Sequence, residues 1–166
     1  MSYGDDAVTS PETLRGRDWP CLRQFGVFLE NRVGLLHELL RSLERHDLRV
    51  IALSIADSID CAVVRVIVDD YERGKELLSL TNQTVFEADV IGVELPDSPQ
   101  PWLDLCMALM EAEVNVHYTY PLLFRRRGRS AIALYVDDVD TGLRVLRQKG
   151  HRLVTENDLS EDDECL

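Results

Sequence analysis

The chain has 166 residues, 45 % apolar and 29 % charged, with a net charge of −12. That balance suits a folded soluble protein, and its acidity argues against a nucleic-acid partner, which needs a basic face. No apolar run approaches the ~20 residues of a membrane helix and the polar start is no signal peptide, so a cytoplasmic protein with no membrane partner is expected.

The residues before position 22 are polar and carry Gly4, Pro11, Gly16 and Pro20, which reads as a loose arm over 1–21 in which Trp19 has the means to dock. From 22 to 30 the apolar residues alternate, with Phe25, Val27 and Leu29 on one face of a predicted strand. A break at Asn31, Arg32, Val33 and Gly34 precedes Leu35, Leu36, Leu39, Leu40 and Leu43, the apolar stripe of an amphipathic helix. Strands are predicted over 50–56 and 62–68 around a turn at 57–60. Asp69 and Asp70 suit the cap of a second helix carrying Leu77, Leu78 and Leu80, with Asn82 as its left-handed stop. A short strand over 84–87 ends this series.

The series then repeats. Phe25, Val27 and Leu29 recur 66 positions later as Ile91, Val93 and Leu95. Asp69, Asp70, Gly74 and Leu78 recur at an offset of 68 as Asp137, Asp138, Gly142 and Leu146. The change of offset places a two-residue insertion in the second hairpin. A strand over 90–95, a helix over 102–111, a hairpin of 115–123 with 129–136, a helix over 139–149 and a strand over 152–155 follow. Each copy reads β-α-β-β-α-β, which predicts an α+β fold of two ferredoxin-like units in tandem. Each antiparallel sheet is expected to carry two helices on one face, leaving the other face to dock. The first unit is placed at 22–87, the second at 88–157, and an acidic solubilising tail at 158–166.

The candidate functional residues sit at the turn into the first helix. Gly34 lets the backbone approach a ligand, and the free N–H groups of the helix that follows suit a carboxylate. Asn31 offers an oxygen to an ammonium. A plainer alternative is that Gly34 only makes a tight turn, with Asn31 as its cap. In the second copy Gln100 and Pro101 replace Gly34 and Leu35. Proline has no N–H to offer, so this loop is expected to be a wall or a degenerate site.

Other residues carry weaker signals. Arg65 is the lone charge on an apolar strand: it reaches solvent from the open face, or anchors a carboxylate or an interdomain ion pair. Tyr118 and Tyr120 alternate with Val116 on one face, and His117 faces the other way. Arg125, Arg126, Arg127 and Arg129 are explained by a solvated hairpin tip. Cys21, Cys61, Cys106 and Cys165 show no metal-site spacing and no CxxC, which fits a reducing compartment. His37, His46 and His151 form no metal pair, and Asp137, Asp138 and Asp140 are better explained by capping than by a divalent ion. With no nucleophile-base motif and no phosphate loop, neither an enzyme nor a cofactor is expected.

The segment from Val27, Val-Phe-Leu-Glu-Asn-Arg-Val-Gly-Leu-Leu, resembles the opening turn of an ACT domain. Asp97 and Pro99 give the second copy a similar turn, and the stretch from Asn115 to Tyr120 resembles the second strand of tandem ACT proteins. The resemblance runs from about Arg23 to Leu159. It implies regulatory binding of a small molecule, most often an amino acid, at seams between paired domains, without catalytic machinery and commonly as a homodimer. The implied ligand-binding residues are Asn31, Arg32, Val33, Gly34, Leu35 and Leu36, with Ser54 and Ile55, and Asp97, His117 and Tyr118 from the second copy. A structural module that associates through its sheet faces and binds nothing small is the alternative.

Overall fold

A computed structural model describes residues 21–126 and 128–160. The expected arm over 1–20, the side chains of Arg125, Arg126 and Arg127, and the tail from 161, with Cys165, fall outside it. The first copy is β1 (Leu22–Glu30), α1 (Leu35–Arg45), β2 (Val50–Asp57), β3 (Cys61–Val68), α2 (Tyr71–Ser79) and β4 (Thr84–Glu94). The second shares β4 and adds α3 (Pro101–Glu111), β5 (Val116–Arg126), β6 (Arg129–Val136), α4 (Val139–Gln148), β7 (Leu153–Val154) and α5 (Glu156–Ser160). These are two ferredoxin-like units in tandem, as the period of the apolar residues predicts.

The boundary between the copies is a strand rather than a linker. The two strands expected at 84–87 and 90–95 are one, β4. Residues 84–90 of it pair antiparallel with β1, and residues 91–94 pair with β6. Asp89 lies within that strand, where it pairs with Arg23 at 3.6 Å, so nothing there interrupts the ladder. One sheet results, in the order β2-β3-β1-β4-β6-β5, with β7 also on β4.

Helices cover one face of each half. In the first, Phe25, Val27, Val64 and Val66 meet Leu39, Leu43 and Leu78. In the second, Ile91, Val93, Ile132 and Leu134 meet Leu105, Leu109 and Leu146. The repeat is exact enough to duplicate a contact. A Cβ on Gly74 would lie 2.8 Å from Val68 and 3.1 Å from Phe25, and one on Gly142 would lie 3.5 Å from Val136 and 2.7 Å from Ile91, their repeat partners, so any larger residue at either position would push on the sheet's side chains. Asp70 and Asp138 cap these helices, accepting from the N–H groups of Arg73 and Thr141 at 3.1 and 3.0 Å. The Thr141 bonds hold the Asp138 carboxyl below its usual range.

Of the two left-handed stops that the repeat predicts, Asn82 and its partner Gly150, the structure has Gly150 at φ 84 but not Asn82. Asn82 is not among the residues with positive φ, and α2 ends on Leu80 in the right-handed region. Asp47 (φ 53) and Glu113 (φ 56), which are repeat partners, turn the chain after α1 and α3. There Leu48 and Val114 donate back to Leu43 and Leu109 at 3.0 and 2.9 Å, closing the same terminal motif twice.

The two uncovered faces pack on each other. Leu22, Ile51, Ile67 and Val90 meet Tyr120, Leu122, Ala131 and Ala133 in a third core, between the sheet halves. The edge strands β2 and β5 approach each other as the sheet curls about β4. Face-to-face docking thus satisfies both open faces within one chain.

Both ends depart from the expected arm and tail. Cys21 is buried in the second copy's helix-side core. Residues 158–160 belong to α5, and Leu159, 1 % exposed, fills the core between the halves. The signal for α5 is a short reciprocal cap. Asp158 accepts from the Thr155 N–H at 2.8 Å while its own N–H donates to the Thr155 hydroxyl at 3.2 Å. An acidic composition masked it. Among the described residues no helix is long and apolar enough to cross a membrane.

Candidate functional site

The turn into α1 is built by Gly34, whose φ of 96° only glycine adopts without strain. Its carbonyl accepts from the Glu38 N–H at 2.9 Å, and no side chain caps the helix. Asn31 is exposed and does not cap the helix, so of the plainer alternative the tight turn at Gly34 is present and the Asn31 cap is not. Arg32 pairs with Glu30 at 2.9 Å on the surface, Val33 is fully exposed, and Leu35 and Leu36 pack against the first core. Within the turn the Arg32 and Leu35 N–H groups donate to the Glu30 and Arg32 carbonyls at 2.8 and 3.4 Å, and of its apolar members Leu35 and Leu36 face inward while Val33 faces solvent.

The second loop is tied to its own helix. The Ser98 hydroxyl donates to Asp104 at 2.5 Å, Pro101 occupies the first position of α3, and Asp97 is exposed.

Ser54 and Ile55 take opposite faces of β2. Ile55 opposes Val64 and is 49 % exposed. Ser54 opposes Arg65 and faces the second copy, as Arg65 does. Tyr118 answers from β5. Its ring lies under the Arg65 guanidinium, 4.0 Å from carbon to centroid, and against Tyr135 at 4.8 Å. Gln24, fully buried, joins Tyr118 to Tyr120. A shift in the β5–β6 register beside His117 turns Val116 toward the helices and Tyr118 toward the seam, so the two do not share a face. His117 is exposed and rests 5.6 Å from the Tyr135 ring. The structure thus brings Ser54 and Tyr118 to one seam, leaves the Asn31–Leu36 turn at the far end of β1, and keeps Asp97 apart.

Two cavities flank Leu123, which is 74 % exposed and lines both. The larger, about 650 Å³, lies within the second copy, between Leu95 and Trp102 at the ends of its loop and the β5–β6 hairpin. The second loop was expected to be a wall or a degenerate site, and the residues at its two ends, Leu95 and Trp102, line this cavity. The smaller, about 490 Å³, is a groove between copies. Its walls are His37, Leu40, Arg41 and Glu44 of α1, Val50 and Leu53 of β2, and Leu123 of the second copy. Helical spacing in α1 marked Leu40, but only the docking of β5 beside β2 makes Arg41 and Glu44 walls of a cavity. Neither cavity includes a residue of the turn from Asn31 to Leu36. Among the described residues no three His, Cys, Asp or Glu side chains gather to hold a metal.

A family model described as an ACT domain pair matches residues 21–162. No curated protein matches the chain. Among solved structures, protein BT0572 from Bacteroides thetaiotaomicron is 26 % identical, covering 86 % of this chain and 98 % of that one, with a TM-score of 0.78. The ligand-free regulatory subunit of aspartate kinase from Thermus thermophilus is 13 % identical over 79 % of this chain and 93 % of that one, with a TM-score of 0.55, a likeness of fold.

Proposed function

The chain belongs to the family of ACT domain pairs, and we propose that it is a regulatory, non-catalytic protein whose ligand is a free amino acid held in the groove between its two copies. The groove beside α1 is the observation that carries this reading. Arg41 gives a carboxylate its cation and Glu44 gives an ammonium its anion, on one helix three residues apart. Leu40, Val50, Leu53 and Leu123 supply the apolar wall for a side chain. Because Leu123 comes from the second copy, an occupant contacts both units and favours the docked arrangement over a looser one.

The test is thermal unfolding in the presence of each of the twenty amino acids. One or a few raise the melting temperature, since a ligand at ~100 times its dissociation constant adds about 2.7 kcal/mol. Leu123→Asp, at an exposed position, keeps the fold and loses the shift. An unchanged melting temperature with all twenty would sink the proposal, as would a full shift in the variant.

A second reading is favoured by α3. Trp102, Leu103, Met107 and Met110 are 43 to 69 % exposed on one helix, an apolar surface that a partner would cover. On this reading the protein is a homodimer through α3. Sedimentation of wild type beside Leu103→Glu/Met107→Glu distinguishes dimer from monomer, and a monomeric wild type rejects it.

A further inference from the structure

A second polar centre lies inside the molecule, at the open end of the layer between the sheet halves. Phe86, Gly26, Arg65 and Ser54 stand side by side across β4, β1, β3 and β2. Their side chains share the face turned toward the second copy, from which Tyr118 meets Arg65. The chain has 30 acidic residues against 18 basic ones, yet among the described residues no carboxylate pairs with Arg65. Its Nε is buried with no acceptor. The guanidinium instead lies over the Tyr118 ring, 4.0 Å from carbon to centroid, a contact that holds it without using its hydrogen-bonding capacity.

Tyr118 has a vacant donor as well. Tyr120 donates to Gln24 Oε1 at 2.5 Å, and Gln24 Nε2 donates to the Tyr118 hydroxyl at 2.9 Å. The chain of bonds has a direction, and it ends on the Tyr118 O–H, for which no described residue is an acceptor. Turning the Gln24 amide over would move the orphaned proton to Tyr120, which is 5 % exposed and has no route to water. The arrangement with the free proton at half-buried Tyr118 is the stable one.

Two phenyl rings share this sheet face, Phe86 across Gly26 from Arg65 and Phe28 two residues along β1. Phe28 and Phe86 are 40 % and 37 % exposed, with centroids 5.4 Å apart. Two vacant donors, one of them cationic, next to exposed aromatic surface match an acid with a flat apolar body.

We propose that this mouth of the seam is a carboxylate site, in which Arg65 of the first copy and the Tyr118 hydroxyl of the second hold a small aromatic acid whose ring rests on Phe28 and Phe86. It is separate from the α1 groove, which lies on the outer, helix side of the sheet, and its occupant needs no ammonium. Like the groove, it joins the two copies, so an acid bound there stabilises their docking.

Benzoate is the probe, titrated into the full chain and followed by the arginine side-chain Nε–H signals in NMR and by the melting temperature. Benzamide, which is neutral, and acetate, which has no ring, are run beside it. Benzoate moves one Nε–H signal, identified as Arg65 by its disappearance in Arg65→Gln, and raises the melting temperature. Benzamide does neither, and acetate binds more weakly than benzoate. Tyr118→Phe keeps the stacked ring and leaves the Gln24 amide N–H without its acceptor, a lowering of stability measured first in the free variant, and against that baseline it weakens benzoate roughly tenfold. Leu123→Asp leaves benzoate binding unchanged, which separates this site from the groove. An Arg65 signal that does not move, benzamide binding as tightly as benzoate, or unchanged affinity in Tyr118→Phe each overturns the proposal.

Discussion

Phe86 lies over Gly26 so closely that a methyl group at position 26 would stand 2.0 Å from the end of its ring. The two residues are cross-strand partners in the β1–β4 ladder, and the missing side chain of one is the seat of the other. Phe86 thereby reaches Phe28 and keeps the mouth of the seam aromatic.

Gly26→Ala is therefore expected to expel the Phe86 ring into solvent at a cost of about 1–3 kcal/mol, the usual penalty of overpacking. In a Phe86→Ala background the same substitution costs almost nothing, because the clash is gone. A double-mutant cycle by urea unfolding measures this coupling. Additive effects of the two substitutions would contradict the contact.

Tyr120 gives the fold a specific alkaline weakness. Burial raises its phenol above the usual value, Tyr118 beside it raises it further, and Arg65 pulls it partly back. The folded state thus binds the proton more tightly than the unfolded chain, in which tyrosine titrates near ~10. The resulting stability is complete below pH ~10 and is lost as pH rises beyond it, by at most about 1.4 kcal/mol per pH unit for one group. Tyr120→Phe flattens this limb. At neutral pH it costs about 1–3 kcal/mol, because Gln24 Oε1 is left buried without a donor. Urea unfolding of both proteins at pH 8, 10 and 11 makes the comparison, and parallel pH profiles would remove Tyr120 as the source.

Leu159 is expected to behave as a core residue despite its position among acids. Leu159→Ala opens a cavity in the layer between the sheet halves and costs about 2–5 kcal/mol. Asn157→Ala, exposed on the same short helix, changes stability by less than ~0.5 kcal/mol. Chemical denaturation of the two variants decides the matter, and equal small effects would mean that α5 does not dock.

Much of the fold is legible because it is written twice. The Gly74 and Gly142 positions and the Asp70 and Asp138 caps repeat at one offset; the turns at Asp47 and Glu113 repeat too, but an acidic side chain does not announce a left-handed residue, so those became visible only in the fold. The site is less legible. Gly34 stands out because a glycine before a leucine-rich run has a local reason to be there. Arg41 and Glu44 look like ordinary members of a solvated helix face until the β5 strand of the second copy brings Leu123 beside them. Arg65 is visible as an odd charge, but not what it touches.

Local pattern was enough to set four of the helices, most of the strands and the duplication, since alternation and helical spacing depend only on neighbours along the chain; it missed α5, whose one apolar residue Leu159 sits among acids. The choice between two tethered domains and one curled sheet was not local. It depended on β4 running unbroken through Asp89 and on two apolar faces having no better partner than each other. The same docking decided that Ser54, Arg65 and Tyr118 share a seam, because a contact between residues more than fifty positions apart exists only once the faces that carry them have met.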